Sequence, residues 1–112
     1  MKPTRYYSNK QEKHIAKSVN GRQVANSGAT AFNKGDVTTK SFLIEAKTCT
    51  SEKKSFSIKK EWLEKNEEEA FAMNKPYSAL AFDFGDGEQH YVISEKLFRQ
   101  LVKYVEEENQ DG

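Results

Sequence analysis

Cysteine is nearly absent: Cys49 is the one thiol in 112 residues. A single thiol forms no internal disulfide and no cysteine cluster for zinc. It follows no nucleophile signature either, and the expectation is a buried strand residue in a reducing, intracellular setting. No apolar stretch is long enough to span a bilayer, and no signal-peptide apolar segment follows the first residues, so no membrane partner is expected. A G-x-x-x-x-G-K-[ST] phosphate loop is missing. His14 and His90 stand apart from any Ser, Cys or metal-ligand pattern.

Net charge is also small, at +1, but it conceals an asymmetry. Residues 1–60 carry 13 Lys/Arg against 4 Asp/Glu, whereas residues 61–112 carry 5 against 13. That division suits a nucleic-acid-facing part and a solvated part. Seven Phe, five Tyr and one Trp keep the chain above a disordered composition despite 31% charged residues. The length fits one domain, 1–112, with a basic arm at 1–7 and an acidic tail at 106–112. Its core is modest, and a dimer interface helps a domain of this size.

What remains is organised around Phe42-Leu43-Ile44-Glu45-Ala46-Lys47. Strand side chains alternate faces, so Glu45 and Lys47 share one face while Ile44 and Ala46 point into a core. If residues 36–39 pair back on 42–49 as an antiparallel hairpin, Asp36 returns beside Glu45. Two carboxylates on separate strands can hold Mg²⁺, which takes oxygen ligands and keeps several waters. Lys47 is placed to orient a metal-bound water and to stabilise charge developing on a phosphorus. The plainer alternative is a charged outer face on an edge strand.

Around this stretch the chain reads as follows. Ser8 to Asn20 is a helix with Ser8 and Gln11 as a capping box, apolar at Ile15, Ala16 and Val19, and stopped at Gly21. Glu12 on that helix is either a third carboxylate for the site or a surface charge among lysines. Arg22 to Asn26 is a short strand. Ser27, Gly28, Thr30 and Lys34 lie in a loop of small residues and donors that leaves room for a phosphate, or simply connects strands. Residues 53–58 form a strand or strand end, and Ser57 caps a helix running to about Asn74 with Trp62, Leu63, Ala70, Met73 and Phe71 as its apolar stripe. Glu61, Glu64 and Glu67 to Glu69 face solvent. Lys59 and Lys60 sit at that helix's start, where the dipole disfavours cations and an anion relieves the conflict. Pro76 ends the helix. Tyr77 to Phe84 and Gln89 to Ile93 form a hairpin across Gly85-Asp86-Gly87. Ser94 caps a final helix whose stripe, Leu97, Phe98, Leu101, Val102 and Val105, is expected to pack on the core, with part left for a partner.

The Asp36, Glu45-Ala46-Lys47 spacing resembles the PD-(D/E)XK nuclease motif, with Gly35 where the pattern often has Pro. Over residues 9–93, the order helix, strand, Ser-Gly loop, Asp strand, E-x-K strand, helix, hairpin resembles the archaeal-type Holliday junction resolvases and their phage-encoded relatives. Gln11-Glu12-Lys13 matches the family's helix glutamate, and Ser27-Gly28 matches its loop in type. Ala25 and Asn26 stand where the family often has an arginine.

The resemblance implies an α/β fold with a restriction-endonuclease-like core, a mixed central sheet of about five strands flanked by helices. It implies Mg²⁺ or Mn²⁺ held by Glu12, Asp36, Glu45 and the backbone carbonyl of Ala46, with Lys47 assisting the nucleophile. It further implies a homodimer that nicks paired strands of a four-way DNA junction. The candidates for backbone contact are Lys13, Arg22, Lys34, Lys53, Lys54, Lys59 and Lys60, together with the loop residues Ser27, Gly28 and Thr30. A flap, mismatch or nicking nuclease of the same superfamily, or a nucleic-acid-binding domain without catalysis, are the alternatives.

Overall fold

Proline near the N-terminus sets the first element. Pro3 lacks an N–H and holds φ at −67°, so it suits the boundary of a helix. Helix α1 accordingly spans Thr4–Val19, with its N-cap five residues before the expected Ser8. Ser8 instead donates to the Arg5 carbonyl at 3.1 Å, and most of the expected basic arm is helical. The structure, a computed structural model, describes residues 2–24 and 36–110. Asn20 closes α1 in the left-handed conformation at φ 55°. Gly21 follows, where a Cβ would lie 2.6 Å from the Thr38 carbonyl oxygen. The chain therefore leaves the helix directly against the next strand pair.

Five strands form one sheet in the order β1-β2-β3-β4-β5. They are β1 Arg22–Gln23, β2 Asp36–Thr38, β3 Phe42–Lys47, β4 Tyr77–Phe82 and β5 His90–Val92. Neighbours are antiparallel except β3 and β4, which run parallel. A parallel pair needs a crossover, and helix α2, Lys60–Ala72, provides it. Helix α3, Glu95–Gln110, follows β5. This is the mixed five-stranded α/β sheet with flanking helices that was expected. Residues 53–58 are not a strand. They are irregular chain held by Phe56, stacked on Phe82 at 4.8 Å, and by the Lys53 N–H, which donates to the Phe84 carbonyl. Among the described residues no helix is long and apolar enough to cross a membrane.

The sheet is covered on both faces. On one, Ile15 of α1 packs with Val37, Ile44, Ala46, Ala79 and Ala81. On the other lie Leu43 and Leu80, both fully buried, under α2. Helix α2 presents buried Asn66 and Ala70 to the sheet, and Asn66 donates to the Ala79 carbonyl at 2.9 Å. Two members of the expected α2 stripe point elsewhere: Phe71 is 83% exposed and Met73 is exposed as well. Lys59, not Ser57, occupies the N-cap position, with no side-chain capping bond. Ser94 does cap α3, accepting the Leu97 N–H at 3.1 Å. The acidic tail is helical through Gln110.

Candidate active site

Register decides which side chains meet. Asp36 pairs with Glu45, Val37 with Ile44, and Thr38 with Leu43. Residues directly opposite in a ladder share a face, so Asp36 and Glu45 emerge side by side. Period 2 brings Lys47 to the same face, where its ammonium is 3.3 Å from Glu45 Oε1. This is the hairpin that the Asp36 and E-x-K spacing predicts. Ala46 turns its methyl into the opposite core, so only its backbone carbonyl can take part.

Helix α2 roofs this face. Trp62, in its first turn, lies under Lys47, with the ammonium 4.2 Å from the ring centroid. Lys47 is thus held between a carboxylate and an aromatic face, an arrangement that fixes a long side chain. Lys59 reaches the same ring at 5.7 Å.

Asp36 is the electrostatic centre. It is 1% exposed, and its Oδ2 finds no hydrogen-bond partner among the described residues. Burial pushes its carboxyl up to about 7, and Glu69, Glu45 and Glu12 push the same way while Lys47 opposes them. Glu12, on α1, accepts from Gln23 Nε2 at 3.5 Å, and burial raises its carboxyl. Glu69 was expected to face solvent. It is instead half-buried, with its carboxyl raised by burial and by Glu45. Its signal was available: Trp62, Asn66 and Glu69 recur at helical spacing, on the stripe that meets the sheet.

A second residue missed as a contributor is Gln11. Buried at 5% exposure, it ties α1 to the end of β3. Its Nε2 donates to the Lys47 carbonyl and to Gln89 Oε1, both at 2.9 Å. Its Oε1 accepts from Thr48 at 2.9 Å. Gln89 in turn donates to buried Asp83 at 2.9 Å. The expected capping role for Gln11 is replaced by this bracket.

These donors fit a hard cation in kind. Asp36 leaves a buried oxygen with no partner among the described residues, and Glu45 stands opposite. Among the described residues, however, no three His, Cys, Asp or Glu side chains are gathered closely enough to hold a metal ion. Mg²⁺ does not require three, since it is commonly bound through one or two carboxylates plus water and substrate phosphate. The two-strand carboxylate pair meets that demand. Glu12 influences Asp36 through charge alone.

Of the residues expected to touch a DNA backbone, Lys13, Arg22, Lys53, Lys54, Lys59 and Lys60 are all exposed. Lys59 and Lys60 open α2 beside Trp62. Ser27, Gly28, Thr30 and Lys34 lie outside the described residues. Cys49 is buried just beyond β3, where burial pushes its thiol up. His90 packs on Phe82 and Phe84 at 5.6 and 5.4 Å as part of an aromatic cluster. No protein-family model, curated protein or solved structure matches this chain.

Proposed function

We propose that this protein is a metal-dependent endodeoxyribonuclease that resolves four-way DNA junctions as a homodimer. The observation that carries the reading is the register match of Asp36 with Glu45, on the face where Lys47 sits 3.3 Å from Glu45. A buried carboxylate with an unpartnered oxygen is costly. That cost has a reason if the oxygen belongs to a cation.

Asp36 and Glu45 would hold Mg²⁺ or Mn²⁺, with the Ala46 carbonyl as a further donor, while Glu12, expected as a third carboxylate ligand, adds only its charge. Bound there, the ion supplies a Lewis acid for the phosphodiester and a water acidified toward hydroxide. Lys47, braced by Glu45 and Trp62, places a positive charge where negative charge develops during cleavage. Asp36 would have to be ionised to hold the ion, and burial together with its acidic neighbours raises its carboxyl to about 7. The exposed lysines at the start of α2 and at 53–54 supply counterions to the phosphate backbone. Contacts of that kind read position and shape, which suits a branched substrate.

Gel assays with labelled four-way junction, flap and linear duplex, each with and without Mg²⁺, test the proposal. Paired nicks placed symmetrically about the branch point are expected, and only with metal. Equal cutting of linear duplex removes junction specificity. Absence of cutting on every substrate removes the nuclease.

A further inference from the structure

Helix α3 carries an apolar stripe that the other described residues leave open. Among the described residues of α3 only Leu97 is buried. Phe98 is 58% exposed, Val102 42% and Val105 50%. These three recur at spacings of four and three, so they form one continuous strip. A 16-residue helix is marginal in water when it relies on its own hydrogen bonds, and normally depends on packing of its apolar face. Beside the strip, an apolar cavity of about 600 Å³ opens between Val19, Phe42, Tyr91 and Leu101. An exposed apolar strip continuous with an apolar groove marks an interaction surface.

The charges on α3 select the occupant. Lys96, Arg99 and Lys103 lie in its first nine residues, and Glu106, Glu107 and Glu108 follow. A second α3 lying antiparallel sets each basic half beside an acidic half, whereas a parallel one opposes like charges. On the flank next to Val102, Arg99 and Glu106 are symmetrically disposed about the middle of the strip. In a two-fold pair, Arg99 of each copy therefore faces Glu106 of the other. Arg99 pairs with Glu95 at 3.2 Å within the same helix, and that pair remains largely solvated.

We propose that α3 is the seam of a homodimer, in which two copies pack antiparallel across a two-fold axis near Val102. Sixteen residues of helix are about 24 Å long, too little alone for the roughly 800 Å² per partner of a standard interface. The seam therefore continues onto the groove at Tyr91 and Val19, both exposed. Such an interface is self-complementary, as two-fold symmetry requires. The inference deepens the paired-subunit part of the proposed function and rests on it for its biological meaning.

Sedimentation of the full chain over a range of concentrations tests it. Wild type is expected at twice the 12.8 kDa chain mass at tens of micromolar. Val102→Asp is expected to weaken association at least about a hundredfold, because a carboxylate enters an apolar seam. Arg99→Glu and Glu106→Arg should each weaken it about tenfold, and the double variant should recover it. That recovery is something a merely misfolded variant does not give. A wild-type monomer at about 100 μM, or a dimer indifferent to all four variants, overturns the seam. Junction cleavage is scored separately. A dimer that cuts nothing leaves the seam intact while removing the nuclease. A monomeric Val102→Asp that nicks single strands leaves the nuclease intact and assigns paired cutting to the seam.

Discussion

Asp36 and Glu45 stand directly opposite each other across the β2–β3 ladder, on the sheet face that α2 covers. Like charges so placed destabilise a sheet, and here one of the two is buried as well. A domain of 112 residues with a modest core carries that cost at one point, flanked by Lys47. The relationship yields consequences for stability as well as for chemistry.

The first concerns pH without metal. The folded-state carboxyl of Asp36 titrates near 7, above its ordinary 3.8. The folded protein therefore binds this proton more tightly than the unfolded chain does. The stabilisation is fully present below about pH 4 and is lost as pH rises through 7. Metal-free protein is expected to melt at a lower temperature at pH 8 than at pH 5.5. Asp36→Asn should reduce that difference and raise the melting point at pH 8 by several degrees. An identical pH dependence in Asp36→Asn would show that this carboxyl is not the source.

The same group should link metal to stability. An ion bound only to the folded state adds RT ln(1 + [M]/Kd). Addition of Mn²⁺ at pH 8 is expected to raise the melting temperature of wild type and to leave Asp36→Asn and Glu45→Gln unmoved. Cleavage should fall at least about 10²-fold in Asp36→Ala and in Glu45→Ala. Junction binding should persist or improve, because repulsion from phosphate falls. Full activity in either variant removes that residue from the chemistry.

Salt dependence checks the backbone track. Each phosphate that is no longer neutralised by a lysine makes the plot of log affinity against log salt shallower by about 0.9 for duplex DNA. Replacing exposed Lys53 and Lys54 by Ala is expected to weaken junction binding and to flatten that plot by the equivalent of one or both lysines. An unchanged slope means that these lysines point away from the bound DNA.

Gln11 makes a purely structural prediction. Its amide serves the Lys47 carbonyl, Gln89 and Thr48 at once. Gln11→Ala leaves those half-buried groups without their partner, a loss of about 1–3 kcal/mol. Urea unfolding measures it. A loss below about 0.5 kcal/mol would mean that water replaces the amide without penalty.

Much of the site was legible because strand periodicity is rigid. Once Phe42-Leu43-Ile44-Glu45-Ala46-Lys47 is a strand, the side of Glu45 and Lys47 follows, and a short hairpin returns Asp36. Helix ends were less legible. Ser8 and Ser57 have capping chemistry, but Pro3 and the tethering of Phe56 govern where α1 and α2 begin. The α2 stripe misled for a related reason. Its sheet-facing row includes polar Asn66 and Glu69, so hydropathy favoured Phe71 and Met73, which turn outward. On α3 the stripe itself was plain, whereas its covering depends on neighbours that no local pattern encodes.

Glu69 offers the sharpest test of that missed row. Its charge is the strongest acting on Asp36 after burial, and the charge of Glu45 raises its own carboxyl in turn. Glu69→Gln keeps the shape of the side chain and removes the charge. The carboxyl of Asp36 should then ionise at lower pH, because a like charge that holds it up is gone. Metal can bind only the ionised form, so the acid limb of the cleavage pH profile should move to lower pH while the plateau rate stays the same. Metal-free protein should also become more stable at pH 8, since one repulsion is gone. A lower plateau with an unmoved limb would instead make Glu69 a direct participant in the reaction. If neither limb nor plateau changes, the charge of α2 is screened from the carboxylate pair and the roof over β3 serves packing alone.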